Sequence, residues 1–133
     1  MAIIYRDFAV EFARHWIAAW NRHDLDEVLS HYADDITLFS PCIISIAEEP
    51  SGILCGKEEI RAYWRKGLAL VPDLHFELHD VLTGVNCLTI YYQGHAGRVA
   101  ETFRLDESGK VTEAYACYTV PPGFEANSCN SCD

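Results

Sequence analysis

The chain has 133 residues, half of them apolar, and carries a formal charge of −10 from 10 basic and 20 acidic side chains. That length holds one domain around one core, and the apolar half excludes a disordered chain. Lys and Arg are scattered, so neither nucleic acid nor an anionic membrane is an expected partner, because both require clustered cations.

In chain order, Met1 to Asp7 has neither a basic n-region nor a sustained apolar stretch. No secretion signal or membrane span is predicted, and the cytoplasm is the expected location. Phe8, Phe12, Trp16 and Trp20 then recur four apart, with Ile17 and Ala19 beside them. This spacing predicts an α-helix with one broad aromatic stripe, ended by Asn21-Arg22-His23. Asp24 is the expected N-cap of a second helix, with Glu27 in capping-box position and Leu25, Val28, Leu29 and Tyr32 on its apolar face. Asp34-Asp35 is expected to turn the chain, and Ile36 to Phe39 to form a strand stopped by Pro41.

Cys42 to Ile46 is a short apolar run, followed by an exposed loop over Ala47 to Ser51 and an extended piece from Gly52 to Cys55. Lys57 opens a third helix, whose face is Ile60, Tyr63, Trp64, Gly67, Leu68 and Val71 and which Pro72 closes. From Asp73 the period changes to two. Leu74, Phe76, Leu78, Asp80 and Leu82 are expected on one face of a strand; Cys87 to Gln93 forms the next. Val99, Glu101, Phe103 and Leu105 share a face of the third, Asp106 to Gly109 makes a hairpin loop, and Val111 to Val120 is the last strand. Three helices, one or two short strands and a four-strand meander make an α+β domain over residues 1–122, with 123–133 as a flexible tail.

Glu101 is the most telling side chain, since it points with the apolar residues of its strand. A carboxylate buried without a partner tends to take up a proton, and a neutral acid can donate a hydrogen bond to a developing oxyanion. The alternative is an ion pair with Arg98, Arg104 or a helix residue, or simple exposure on a strand end. The aromatics Trp16, Trp20, Phe39, Tyr63, Trp64, Phe76 and Phe103 come from helix and strand faces alike, and either line an apolar cavity or fill a solid core. His75, Glu77 and His79 share a strand face, but a third helix-borne ligand is not evident, so no metal is expected. His15 either edges the pocket or lies on the helix surface. The six cysteines are expected to be reduced, and Cys129-Asn-Ser-Cys132, which fits a redox or zinc half-site, reads as a frayed terminus.

The segments W-N-R-H-D-L-D-E (20–27), H-Y-A-D-D-I-T-L-F-S-P (31–41), G-K-E-E-I-R-A-Y-W (56–64) and E-T-F-R-L-D-E-S-G-K-V-T-E-A-Y (101–115) resemble the SnoaL-like branch of the NTF2-like superfamily. Polyketide cyclases, ketosteroid isomerases and limonene epoxide hydrolases belong to the same superfamily. The resemblance implies a cone, in which a strongly curved, mostly antiparallel sheet wraps a long N-terminal helix and two further helices accompany it. It also implies a pocket at the open end, homodimers through the outer sheet face, and no cofactor.

The catalytic positions transfer only in part. The aspartate base of ketosteroid isomerases falls on Ser40, beside the pocket, and their oxyanion tyrosine falls on Trp16. Their protonated acid falls on Glu101, and the most generous match sets the polyketide-cyclase acid there too. The epoxide-hydrolase arginine has no counterpart in phase, because Arg98 lies three residues before Glu101. Thr119 replaces the aspartate that often follows the last strand's aromatic. The expected function is binding of a small hydrophobic molecule, with acid/base chemistry on a carbonyl compound (isomerisation, cyclisation or dehydration) through Glu101. A non-catalytic binding or homodimeric module is the alternative.

Overall fold

Helix α1 (Arg6–Asn21) buries Phe12, Trp16, Ile17 and Trp20, with Ala9, Ala13 and Ala19 giving its neighbours close approach. Phe8, at the outer end of the stripe, is partly exposed. The computed structural model describes residues 3–120; the proposed tail 123–133, with Cys129 and Cys132, lies outside the described residues. Around α1 run α2 (Leu25–Leu29), β1 (Tyr32–Phe39), α3 (Pro41–Ile46), β2 (Ile53–Cys55), α4 (Lys57–Leu70), β3 (Glu77–Thr83), β4 (Cys87–Gln93), β5 (Arg98–Leu105) and β6 (Val111–Tyr118). The strands form one curved, unclosed sheet in the order β2-β1-β6-β5-β4-β3, antiparallel except where β1 pairs with β6. No helix among the described residues is long and apolar enough to cross a membrane.

Local chemistry explains most boundaries. Asp24 accepts a hydrogen bond from the Glu27 amide at 3.2 Å and caps α2. Gly56, with φ of +86°, turns the chain into α4. Ile60, Tyr63 and Trp64 are the buried face of α4. On β4, Leu88, Ile90 and Tyr92 are buried, and on β5, Val99, Glu101, Phe103 and Leu105. These are the two inward rows that strand alternation demands.

Several expectations are corrected. Among the described residues there are four helices, because the apolar run after the strand, Pro41–Ile46, forms the additional helix α3. Proline at the first helical position gives up an amide that would be unpaired anyway, and Ser40 Oγ accepts from the Cys42 amide at 3.2 Å. Asp34 and Asp35 do not turn the chain. They lie inside β1, exposed in an irregular stretch where the β1–β6 register shifts between Tyr32 and Thr37. The segment 73–76 is not strand, and β3 carries a bulge: Leu78 pairs with Tyr92, but Asp80 pairs with Tyr91. The extra residue reverses the side-chain parity, so Val81 packs against the core and Leu82 is 54% exposed. The last strand ends at Tyr118. Cys42 is disulfide-bonded rather than reduced, whereas Cys55, Cys87 and Cys117 are free thiols.

Candidate functional site

A cavity of about 80 Å³ lies between α1, α3, α4 and the concave face of the sheet. About 10–15 Å³ holds one water centre, so this space is larger than a single water requires. Its existence has a local cause. Glu101 on β5 sits opposite Ala116 on β6, and the short alanine leaves room beside the carboxyl. Gly67 of α4 faces the same space.

Of the side chains expected from sequence, Glu101, Trp16, Trp20, Ser40, Tyr63, Trp64 and Phe76 line this cavity. Phe39 and Phe103 do not. Phe39 sits on the other sheet face, where its ring stacks on Tyr115 with centroids 4.4 Å apart; Leu38 takes its place at the cavity. Phe103 is fully buried in solid core, packed edge-on against Phe12, Trp16 and Tyr32. His75, Glu77 and His79 are exposed, and among the described residues no group of three His, Cys, Asp or Glu side chains is placed to hold a metal. His15 faces away from the cavity, hydrogen-bonded to His31 and 3.1 Å from Glu27.

Glu101 is 6% exposed, and its single hydrogen bond among the described residues comes from the Tyr92 hydroxyl to Oε1, at 3.1 Å. Burial pushes its carboxyl from the ordinary 4.5 up to about 7, with the Tyr92 bond pulling the other way. Burial and the nearby Glu101 charge push Tyr92 and Tyr32 well above the usual phenol value, so both hydroxyls keep their protons and remain donors. Trp16 presents its ring to the cavity, but its indole N–H donates to Tyr32 Oη at 3.0 Å. The position that resemblance gives an oxyanion donor is therefore already engaged. Ser40 Oγ caps α3 and lies 3.4 Å from the Tyr118 hydroxyl. Among the described residues Glu101 is the one carboxylate lining the space, and no histidine joins it.

Sequence reading missed Tyr92, Tyr118, Leu38, Leu74 and Ile46, all of which line the cavity. Tyr92 was detectable, since it continues the alternation of Leu88 and Ile90 on β4. Leu74 and Phe76 reach the cavity through a tie that no periodicity announces. The Asn21 side chain donates to the Phe76 carbonyl at 3.0 Å and accepts from the Phe76 amide at 2.7 Å, while His23 Nε2 donates to the Leu74 carbonyl at 2.9 Å. The polar end of α1 thus clasps the irregular segment and holds the Phe76 ring against Trp16, Trp20 and Tyr92.

Comparison with known proteins places this geometry in a family. The sequence model of the SnoaL-like domain matches residues 13–114. A SnoaL-like protein of unknown function from Burkholderia thailandensis is 48% identical, covers 88% of this chain and 98% of its own, and superposes with a TM-score of 0.84. An NTF2-like protein of unknown function from Burkholderia pseudomallei shares the fold at 17% identity, covering 84% of this chain and 90% of its own with a TM-score of 0.64. TerC, co-crystallised with polyporic acid, shares it at 11% identity, covering 84% and 91% with a TM-score of 0.67. No curated protein matches. The chain belongs to the SnoaL-like domain family and has its NTF2-like α+β architecture.

Proposed function

We propose that the chain binds a small, largely apolar carbonyl compound in the aromatic cavity and performs acid/base chemistry on it through Glu101. The observation that carries this reading is a cavity-lining carboxyl buried to 6% exposure, with the Tyr92 hydroxyl as its one hydrogen-bond partner among the described residues and burial raising it to about 7. Such a group is half protonated near neutrality, the condition in which one residue both gives and takes a proton well. Tyr92 occupies Oε1, which leaves Oε2 for the ligand. With no second carboxylate or histidine beside the space among the described residues, the same group removes and returns the proton. That restricts the chemistry to isomerisation, cyclisation or dehydration steps in which one carboxyl serves both faces of the transfer. The co-crystallisation of TerC with polyporic acid supports use of this fold as a container for small organic molecules.

Non-catalytic capture of the same class of ligand is the second reading. The observation favouring it is Ser40, a helix cap standing where a base would be required for a two-base mechanism. Native mass spectrometry of the purified chain identifies a retained small molecule, and NMR titration of the Glu101 carboxyl tests the acid. Turnover lost in Glu101→Gln with binding kept supports catalysis; a Glu101 titrating at the ordinary glutamate value overturns it. The same proposal has two copies pairing through the outer sheet face, where Phe39 and Tyr115 present stacked rings. Light scattering of a Tyr115→Asp variant checks this, and an unchanged mass would refute it.

A further inference from the structure

The cavity wall contains a buried donor that the acid/base reading leaves without a role. Trp20 is 6% exposed, its ring lines the cavity, and its indole Nε1 is closed off from water with no hydrogen-bond partner among the described residues. The contrast with Trp16 is direct, since that N–H has Tyr32. The ring nearest Trp20 is Trp64, edge-on with centroids 4.9 Å apart, and an aromatic face is a weak substitute for an oxygen acceptor. A buried donor left without an acceptor is unfavourable, and a native fold that keeps one is retaining it against stability.

The position of Trp20 gives this donor a use. Its ring packs on Trp16 and Phe76, both of these pack on Tyr92, and Tyr92 donates to Glu101. Trp20 and Glu101 therefore line the same cavity with two layers of rings between them, Trp16 and Phe76 and then Tyr92. A molecule with a carbonyl at Glu101 that extends across these rings reaches Trp20 with its other end.

Building on the cavity reading above, we propose that Trp20 is a ligand-anchoring donor, so that the ligand carries a second hydrogen-bond acceptor at the end away from Glu101. A modest turn of the indole in the cavity wall brings its N–H onto that acceptor. The substrate class narrows from an apolar carbonyl compound to a flat one with acceptor oxygens at both ends. A site whose buried donor needs an acceptor discriminates strongly against the analogue that lacks it.

The test uses two molecules of nearly the same shape, 1,4-diacetylbenzene and 4-ethylacetophenone, which differ by one carbonyl oxygen. The wild-type chain is expected to bind the diketone at least tenfold more tightly. The Trp20 indole proton, assigned in 15N-labelled protein, is expected to move downfield with the diketone alone. In Trp20→Phe the preference falls to about twofold or less. If that variant does not fold, 3-benzothienylalanine at position 20 keeps the ring shape and removes the N–H. Without ligand, that replacement is expected to leave the melting temperature unchanged or raised, whereas an N–H with a structural role would lower it. Equal affinity for the two ketones, a preference that survives loss of the N–H, or a Trp20 resonance indifferent to the diketone overturns the inference and leaves the Glu101 reading standing. Binding of neither ketone overturns the cavity reading and this inference with it.

Discussion

Replacing Glu101 by glutamine should change how stability depends on pH more than it changes the fold. Burial raises the folded carboxyl from 4.5 to about 7, so the folded chain holds this proton more tightly than the unfolded chain does. The stabilisation is complete below 4.5, declines as pH rises through the interval to 7, and is absent above it. A displacement of that size corresponds to about 3 kcal/mol, of which about 2.5 kcal/mol falls between pH 5 and pH 8. Glutamine has nearly the same shape, can still accept from Tyr92, and does not titrate. His31 acts in the opposite direction. Burial, with His15 and Lys110 nearby, lowers it to about 4, so its contribution is present above 6.5 and is lost as pH falls through 4. Both proteins share that background, and the difference between them isolates Glu101. Urea unfolding at half-unit intervals from pH 5 to 8 should show Glu101→Gln gaining on the wild type by about 1–2 M in midpoint. A difference that stays flat over this range would refute the burial argument.

Tyr92→Phe removes the one bond that favours the charged carboxyl, so Glu101 should titrate higher still by 13C NMR, with the sheet intact; a downward move contradicts the assignment of that bond. Ala116→Leu should fill the space beside Glu101, weakening ketone binding at least tenfold while costing about 1–3 kcal/mol from overpacking in thermal unfolding. Asn21→Ala breaks both bonds to Phe76 and should cost about 1–3 kcal/mol, with faster amide exchange confined to residues 73–76 as the local signature. Phe103→Ala should destabilise by about 3–5 kcal/mol, whereas Phe39→Ala should leave ligand affinity unchanged, because neither ring reaches the cavity.

Periodicity carried the reading where one face of an element is plainly buried. The α1 stripe, the Ile60-Tyr63-Trp64 face and the Val99-Glu101-Phe103-Leu105 row were legible because 3.6 and 2.0 residue periods map directly onto burial. The buried acid was legible for the same reason. What failed were positions where one residue changes the phase. The β3 bulge moved Leu82 outward, and strand alternation put Phe39 on the wrong side of Leu38. Whether an aromatic lines space or fills it depends on the size of its neighbour, and Ala116 lies far along the chain from the acid it exposes. The Asn21 clasp links residues 55 apart in sequence and leaves no local trace.

The pairing of β6 between β1 and β5 has a consequence for how the protein is made. The strand that joins the first half of the molecule to the meander is the last of the six to leave the ribosome. Until it arrives, β1 with β2 and the β3–β5 meander are separate pieces with facing unpaired edges, and the tryptophan helix lacks part of its cover. Nascent chains stopped before Val111 should therefore be recognised by chaperones and degraded rather than accumulate.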